Sequence, residues 1–176
     1  HLEFEPLYHL KSKQPNAPLL ITEFWSGEPV YWGKPIRYWP HHSLQARAVY
    51  EYSSTGTQIC YYMFDGGTNF GFWGGNNIAT SYASSYPVGD GGKLTEKYYA
   101  IKPANTFVNQ FGEYLADSEE VADKAGISCP EGVRLVVRKC SRGSMAFITP
   151  LDKRKEIPVS LPDGNKLNIY LGEVSA

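Results

Sequence analysis

The chain has 176 residues, 42% of them apolar and 20% charged, with a net charge of −1 at neutral pH. That composition suits one folded domain or slightly more and excludes disorder, while near-neutrality excludes nucleic acid or an anionic membrane as the main partner, since each needs a basic face. The longest uncharged stretch, Gly66 to Gly89, is rich in Gly, Asn and Ser, which excludes a transmembrane helix.

His1 to Lys13 is predicted helical, with Leu2, Leu7, Leu10 and Tyr8 near one face and Pro15-Asn16 ending the run. Pro18 to Trp25 is a short apolar run with Ile21 near its middle and Glu23 near its end. Apolar residues on both faces suit a parallel strand covered by helices. A Gly/Pro/Trp-rich loop follows from Ser26 to His42, so His41 and His42 are read as loop or helix-start residues. Ser43 then caps a helix with Leu44, Ala48 and Tyr52 inward, which Gly56 ends. Gln58 to Phe64 is a second apolar strand, with Cys60 expected to be a buried free thiol, and Asp65-Gly66-Gly67 breaks it. A long loop spans Gly66 to Lys93, and helix resumes near Leu94-Thr95-Glu96. Pro103 predicts a kink or a second helix starting there, with Phe107, Val108, Phe111 and Leu115 on one face beyond it. Helix, strand, helix, strand, helix is the alternation of a parallel α/β structure.

After about Gly126 the pattern becomes antiparallel β. Val133 to Arg138 and Ser144 to Ile148 are strands joined by Ser141-Arg142-Gly143. Lys155 to Leu161 and Leu167 to Leu171 are two more, separated by Pro162-Asp163-Gly164. A boundary is placed between Asp117 and Pro130, giving domains 1–120 and 121–176. The second is a thin, incomplete sheet of four strands. A start at His1 without Met and a stop at Ala176 read as processing or truncation. The three cysteines leave at least one unpaired, and no His or Cys lies near them at metal-ligand spacing, so no metal is expected. Asn-x-Ser/Thr sequons are absent, so glycosylation does not indicate a compartment.

Glu23 is the first candidate for chemistry. A carboxylate at the C-terminal end of a parallel strand sits where α/β barrels place catalytic groups; the alternative is an ion-paired structural Glu. The second candidate is Tyr62-Met-Phe-Asp65-Gly-Gly-Thr-Asn-Phe-Gly71, where glycines permit close backbone approach and Thr68 and Asn69 offer short polar arms. Its alternative is a tight turn capped by Asp65.

Thr22-Glu-Phe-Trp-Ser-Gly27, Tyr31-Trp-Gly33, Tyr62-Met-Phe-Asp-Gly-Gly-Thr-Asn-Phe-Gly71, Thr80-Ser-Tyr82 and Leu94-Thr-Glu-Lys-Tyr98 together resemble the closing strands of glycoside hydrolase family 35, the β-galactosidases built on a (β/α)8 barrel. The resemblance implies α/β architecture: about two βα units from the C-terminal portion of a TIM barrel, followed by the start of a β-rich domain. It also implies a retaining mechanism with two carboxylates about 5–5.5 Å apart and no metal or organic cofactor. Glu23 matches the nucleophile, while Tyr62 and Tyr82 match tyrosines that contact the sugar. Glu28 stands where the family often has Trp, and Ser84 where it has a second tyrosine; Tyr86 is two residues away. The family's Asn-Glu-x-Tyr-Gly acid/base element is not found. Asn109-Gln-Phe-Gly-Glu113-Tyr is only an echo, and Asp65 in an exposed turn lacks the desolvation that keeps an acid protonated. A complete barrel takes about 250 residues.

The expectation is therefore part of an enzyme that removes terminal β-galactosyl residues, inactive without the N-terminal part of the same barrel. The sequence does not fix a compartment; the resemblance suggests a secreted, periplasmic or lysosomal one. The rival is a non-catalytic galactoside-binding module in which Trp25, Trp32, Trp73 and Tyr82 stack on sugar, and a third reading is a structural remnant. Individually, Trp32, Trp39 and Trp73 are read as packing residues.

Overall fold

The computed structural model describes residues 4–37, 42–83 and 85–171, so Leu2, Trp39, His41 and Ser84 lie outside the described residues. Helix α1, Glu5–Lys13, starts around Pro6, whose missing N–H is no loss in a first turn. None of its residues is buried, so the expected apolar face covers no core.

Strands β1, Leu19–Phe24, and β2, Thr57–Tyr61, pair in parallel. Burial on both faces is not observed. Leu20 and its register partner Gln58 are exposed, and Cys60, two residues on, is exposed with them rather than buried. One face of this two-stranded sheet stays open, and the apolar run fills only the other.

Helix α2, His42–Ser54, begins one residue before Ser43. It buries Gln45, Ala48 and Val49, with Glu51, Ser53 and Ser54 near its end, and Leu44 is 53% exposed, so the inward stripe is rotated by one residue from the expected face. Gly56, at φ 76°, follows its end. Helix α3, Glu96–Asp117, runs through Pro103 as one element, where a break or a second helix start was expected. It buries Ile101, Ala104 and Leu115, with Phe107, Val108 and Phe111 half-buried between them. The expected face is present and reaches further toward the N-terminus.

The chain gathers into two compact units, 1–49 with 57–107, and 50–56 with 108–176. In the first, the long loop after β2 is closed by backbone bridges, Tyr31 to Ile78 and Thr68 to Ser81, and holds one 3-10 turn, Asp90–Gly92.

In the second, β3 (Glu119–Val121), β4 (Val133–Cys140) and β5 (Gly143–Pro150) form an antiparallel sheet in that order. Strands β6 (Glu156–Ser160) and β7 (Lys166–Tyr170) form a separate hairpin. All four predicted strands are present, but in two sheets rather than one. Val136, Val137, Ile157 and Val159 supply buried apolar surface, and Cys129 and Cys140 are free thiols.

The unit is organised by Arg138, which is 5% exposed. Its guanidinium donates to Ser54 O at 3.3 Å, Leu115 O at 3.1 Å, Ser118 O, and Ser118 Oγ at 2.9 Å. One cation thereby satisfies carbonyls at the C-terminal ends of α2 and α3, where the helix dipoles favour positive charge. Gly56 makes room for it, because a Cβ there would lie 2.9 Å from the guanidinium.

Candidate active site

The parallel pair ends at a bulge. Ile21 faces Ile59 but Phe24 faces Tyr61, so β1 carries one extra residue before Tyr62 N–H donates to Phe24 O at 3.0 Å. A bulge re-aims side chains at a strand end. Here it turns Phe24 inward, edge-on to Tyr61 at 5.4 Å, and leaves Glu23 exposed. Trp25 Nε1–H donates to Glu23 Oε2 at 3.2 Å. Glu23 makes no ion pair among the described residues, which counts against the ion-paired structural alternative.

The Trp25 ring lies 5.4 Å from that of Tyr62, and the hydroxyls of Tyr62 and Tyr82 are 3.2 Å apart. Burial pushes the Tyr82 phenol up to about 12, helped by its hydrogen bond with Tyr62 and by the nearby acidic groups, the Glu23 carboxylate among them. At neutral pH it is therefore a protonated hydroxyl near a carboxylate, able to donate to a sugar oxygen. The structure thus gathers Glu23, Trp25, Tyr62 and Tyr82 at one strand end.

Tyr86 does something else. It is fully buried, and a Cβ on Gly27 would come within 2.6 Å of its Cε1, one on Gly66 within 3.1 Å of its Cδ2. Its ring is a packing wedge between the two strand-end loops and is not presented to a ligand. Asp65 accepts the Gly67 N–H at 2.9 Å, the turn-capping role. Thr68 donates its hydroxyl to Asp90, and Asn69 Nδ2 donates to Ala79 O at 3.0 Å, so both polar arms hold their own loop closed. Glu113 is ion-paired with Arg142 at 3.7 Å.

Trp73 is 90% exposed, with Phe70 and Phe72 beside it, and Trp32 meets Phe72 at 5.0 Å. The expected packing role for Trp73 is therefore not observed, and the ring that Trp32 meets, Phe72, is itself 82% exposed. Among the described residues no group of three or more His, Cys, Asp or Glu is placed to hold a metal ion, and no helix is long and apolar enough to cross a membrane.

Two further residues brace this site. Lys97 of α3 donates from Nζ to Ser26 O at 2.5 Å, and Gln45 of α2 donates from Nε2 to Trp25 O at 3.5 Å. Both were missed in the sequence. The available signal was Lys97 standing on the stripe of Ile101 and Ala104, where a lysine is out of place unless it is bonded.

The model of the glycosyl hydrolases family 35 matches residues 3–108. The chain belongs to glycosyl hydrolase family 35. Over 139 residues it is 33% identical to a mouse protein named beta-galactosidase, covering 68% of this chain and 21% of that protein. Over 98 residues it is 37% identical to the human beta-galactosidase, covering 51% of this chain and 14% of that one. A mouse beta-galactosidase-1-like protein is 32% identical over 105 residues, 53% of this chain and 15% of that protein. This family 35 chain thus spans about a fifth or less of the length of these relatives. Membership implies a TIM-barrel-type domain, with which the parallel β1–β2 pair and its helices agree.

Proposed function

We propose that the chain contributes the nucleophile of a retaining exo-β-galactosidase, which removes terminal non-reducing β-D-galactosyl residues. In this reading α2, α3 and the β1–β2 pair are about two βα units from the end of a (β/α)8 barrel, and the remaining β-strands begin an accessory domain. The observation that carries it is Glu23 at the C-terminal end of a parallel strand, with Oε2 held by Trp25 and its charge felt by Tyr82.

The chemistry follows from that placement. Glu23 Oε1 attacks the anomeric carbon on the face opposite the leaving oxygen, and the glycosidic bond breaks as a second carboxylic acid protonates that oxygen. Water, deprotonated by the same second group, then attacks the anomeric carbon and releases Glu23. Two inversions give net retention. Tyr62 and Tyr82 donate to sugar oxygens. The second carboxyl group lies outside this chain: Asp65 and Glu113 are occupied as a turn cap and a surface ion pair. The chain therefore needs the N-terminal part of the barrel.

The test is covalent trapping. Joined to the N-terminal barrel segment of the mouse relative, the chain should be labelled by a 2-deoxy-2-fluoro-β-galactosyl fluoride, whose leaving group needs no protonation. The label should map to Glu23 by peptide mass spectrometry. A label on another carboxylate would overturn the assignment.

A second reading, a galactoside-binding module without catalysis, is favoured by the exposed rings of Trp32, Phe72 and Trp73. Galactose binding that survives Glu23→Ala in the chain alone would support it.

A further inference from the structure

Two helices send buried polar side chains to consecutive carbonyls just after Glu23. The Gln45 bond, at 3.5 Å from a neutral amide, is at the weak limit of such contacts. The Lys97 bond is short and charge-assisted, the stronger class. Lys97 is 7% exposed and Ser26 is fully buried, so this bond does not compete with water. Ser26 also donates its hydroxyl to Met63 O, the carbonyl just past Tyr62. A continuous path therefore runs from Lys97 through Ser26 to the end of β2.

We propose that Lys97 is a positioning residue: through Ser26 it clamps the end of β1 to the end of β2, fixing Glu23, Trp25 and Tyr62 against one another. A buried ammonium is costly to keep for packing alone, since a methionine would fill the same space. What methionine cannot supply is the donor to Ser26 O. The flanks of the clamp are the residues that the proposed reaction uses, Glu23 and Trp25 on one side and Tyr62 on the other. The proposal rests on the catalytic reading for its purpose, but its geometry can be tested without turnover.

The experiment uses the full 176-residue chain, labelled with nitrogen-15 and observed by NMR. The Tyr62 amide, bonded to Phe24 O, reports the clamp by hydrogen exchange, and the Trp25 indole N–H, assigned through Trp25→Phe, reports the position of Glu23. Lys97→Met should speed Tyr62 amide exchange about 10-fold or more and move the Trp25 indole signal toward its position in Glu23→Gln. The indole signals of Trp32 and Trp73 should stay where they are. Ser26→Ala, which removes only the hydroxyl and keeps the proposal testable if Lys97→Met does not fold, should also speed Tyr62 exchange. Lys97→Arg, which keeps a donor, should restore part of both signals. Native exchange and an unmoved Trp25 signal in a folded Lys97→Met chain would overturn the clamp. A Trp25 signal that ignores Glu23→Gln but follows Lys97→Met would support the clamp and instead remove the Trp25–Glu23 bond from the catalytic reading.

Discussion

The Tyr86 ring decides why residue 27 has no side chain. Gly27→Ala would drive a methyl into that ring, which is fully buried and has the Gly66 backbone near its opposite edge. Overpacking of this kind costs about 1–3 kcal/mol, to be read as a lower urea midpoint at unchanged slope. Ionisation gives a second prediction. Burial lowers Lys97 to about 8 from its free value of 10.5, so between those values the unfolded chain holds the extra proton and stability rises with pH. Tyr61 and Tyr82 are held up near 12 and Tyr86 is raised as well, mainly by burial, so above pH 10 the unfolded chain loses protons that the folded chain keeps and stability falls. Melting temperature should therefore climb from pH 8 to 10 and decline beyond it, and Lys97→Met should remove the climb. Glu23, Tyr62 and Tyr82 stood out in the sequence because glycine and aromatic residues surround them, and the structure brings them to one strand end. Cys60 was misread because an apolar run does not say which of its faces is covered. Trp25 was legible only as a flat ring, since nothing in the sequence says that its N–H meets a carboxylate.

The elements show where periodicity succeeds and where chemistry overrides it. Strands β4 to β7 announce themselves by β-branched runs between turn residues, and the structure has them with ends shifted by a few residues. Strand β3 is Glu119-Glu120-Val121, too short and polar to carry an alternation, and it exists through its pairing with β4. Helix α2 was set one residue out of phase because its buried face includes Gln45, Glu51, Ser53 and Ser54, polar residues that a search for apolar spacing passes over. Glu51 lies 3.9 Å from Arg134, and Ser54 donates to Glu51 O and offers its carbonyl to Arg138. Arg138→Leu strips the carbonyls of Ser54, Leu115 and Ser118 of a donor while they remain buried, which should cost about 2–4 kcal/mol. Urea unfolding followed on the second unit should show it, with β4 amides exchanging faster than those of β1.

At the scale of the molecule, the alternation of helix and strand and the switch to antiparallel β were legible, because the period of the apolar pattern changes near residue 126. The grouping into compact units was not, since residues 50–56 join 108–176 through Arg138 on Ser54 O and Arg134 on Glu51 and Ser54 Oγ, contacts that no local sequence pattern announces. In the proposed catalysis this chain supplies the attacking carboxylate and another segment supplies the proton. The most direct measurement is release of nitrophenol from a nitrophenyl β-galactoside by four samples: the chain alone, the chain joined to the N-terminal barrel segment of the mouse relative, and each with Glu23→Gln. Turnover is expected only in the joined protein with Glu23 intact, with a loss of roughly a thousandfold or more on substitution. Turnover by the isolated chain that Glu23→Gln abolishes would contradict the proposed catalysis.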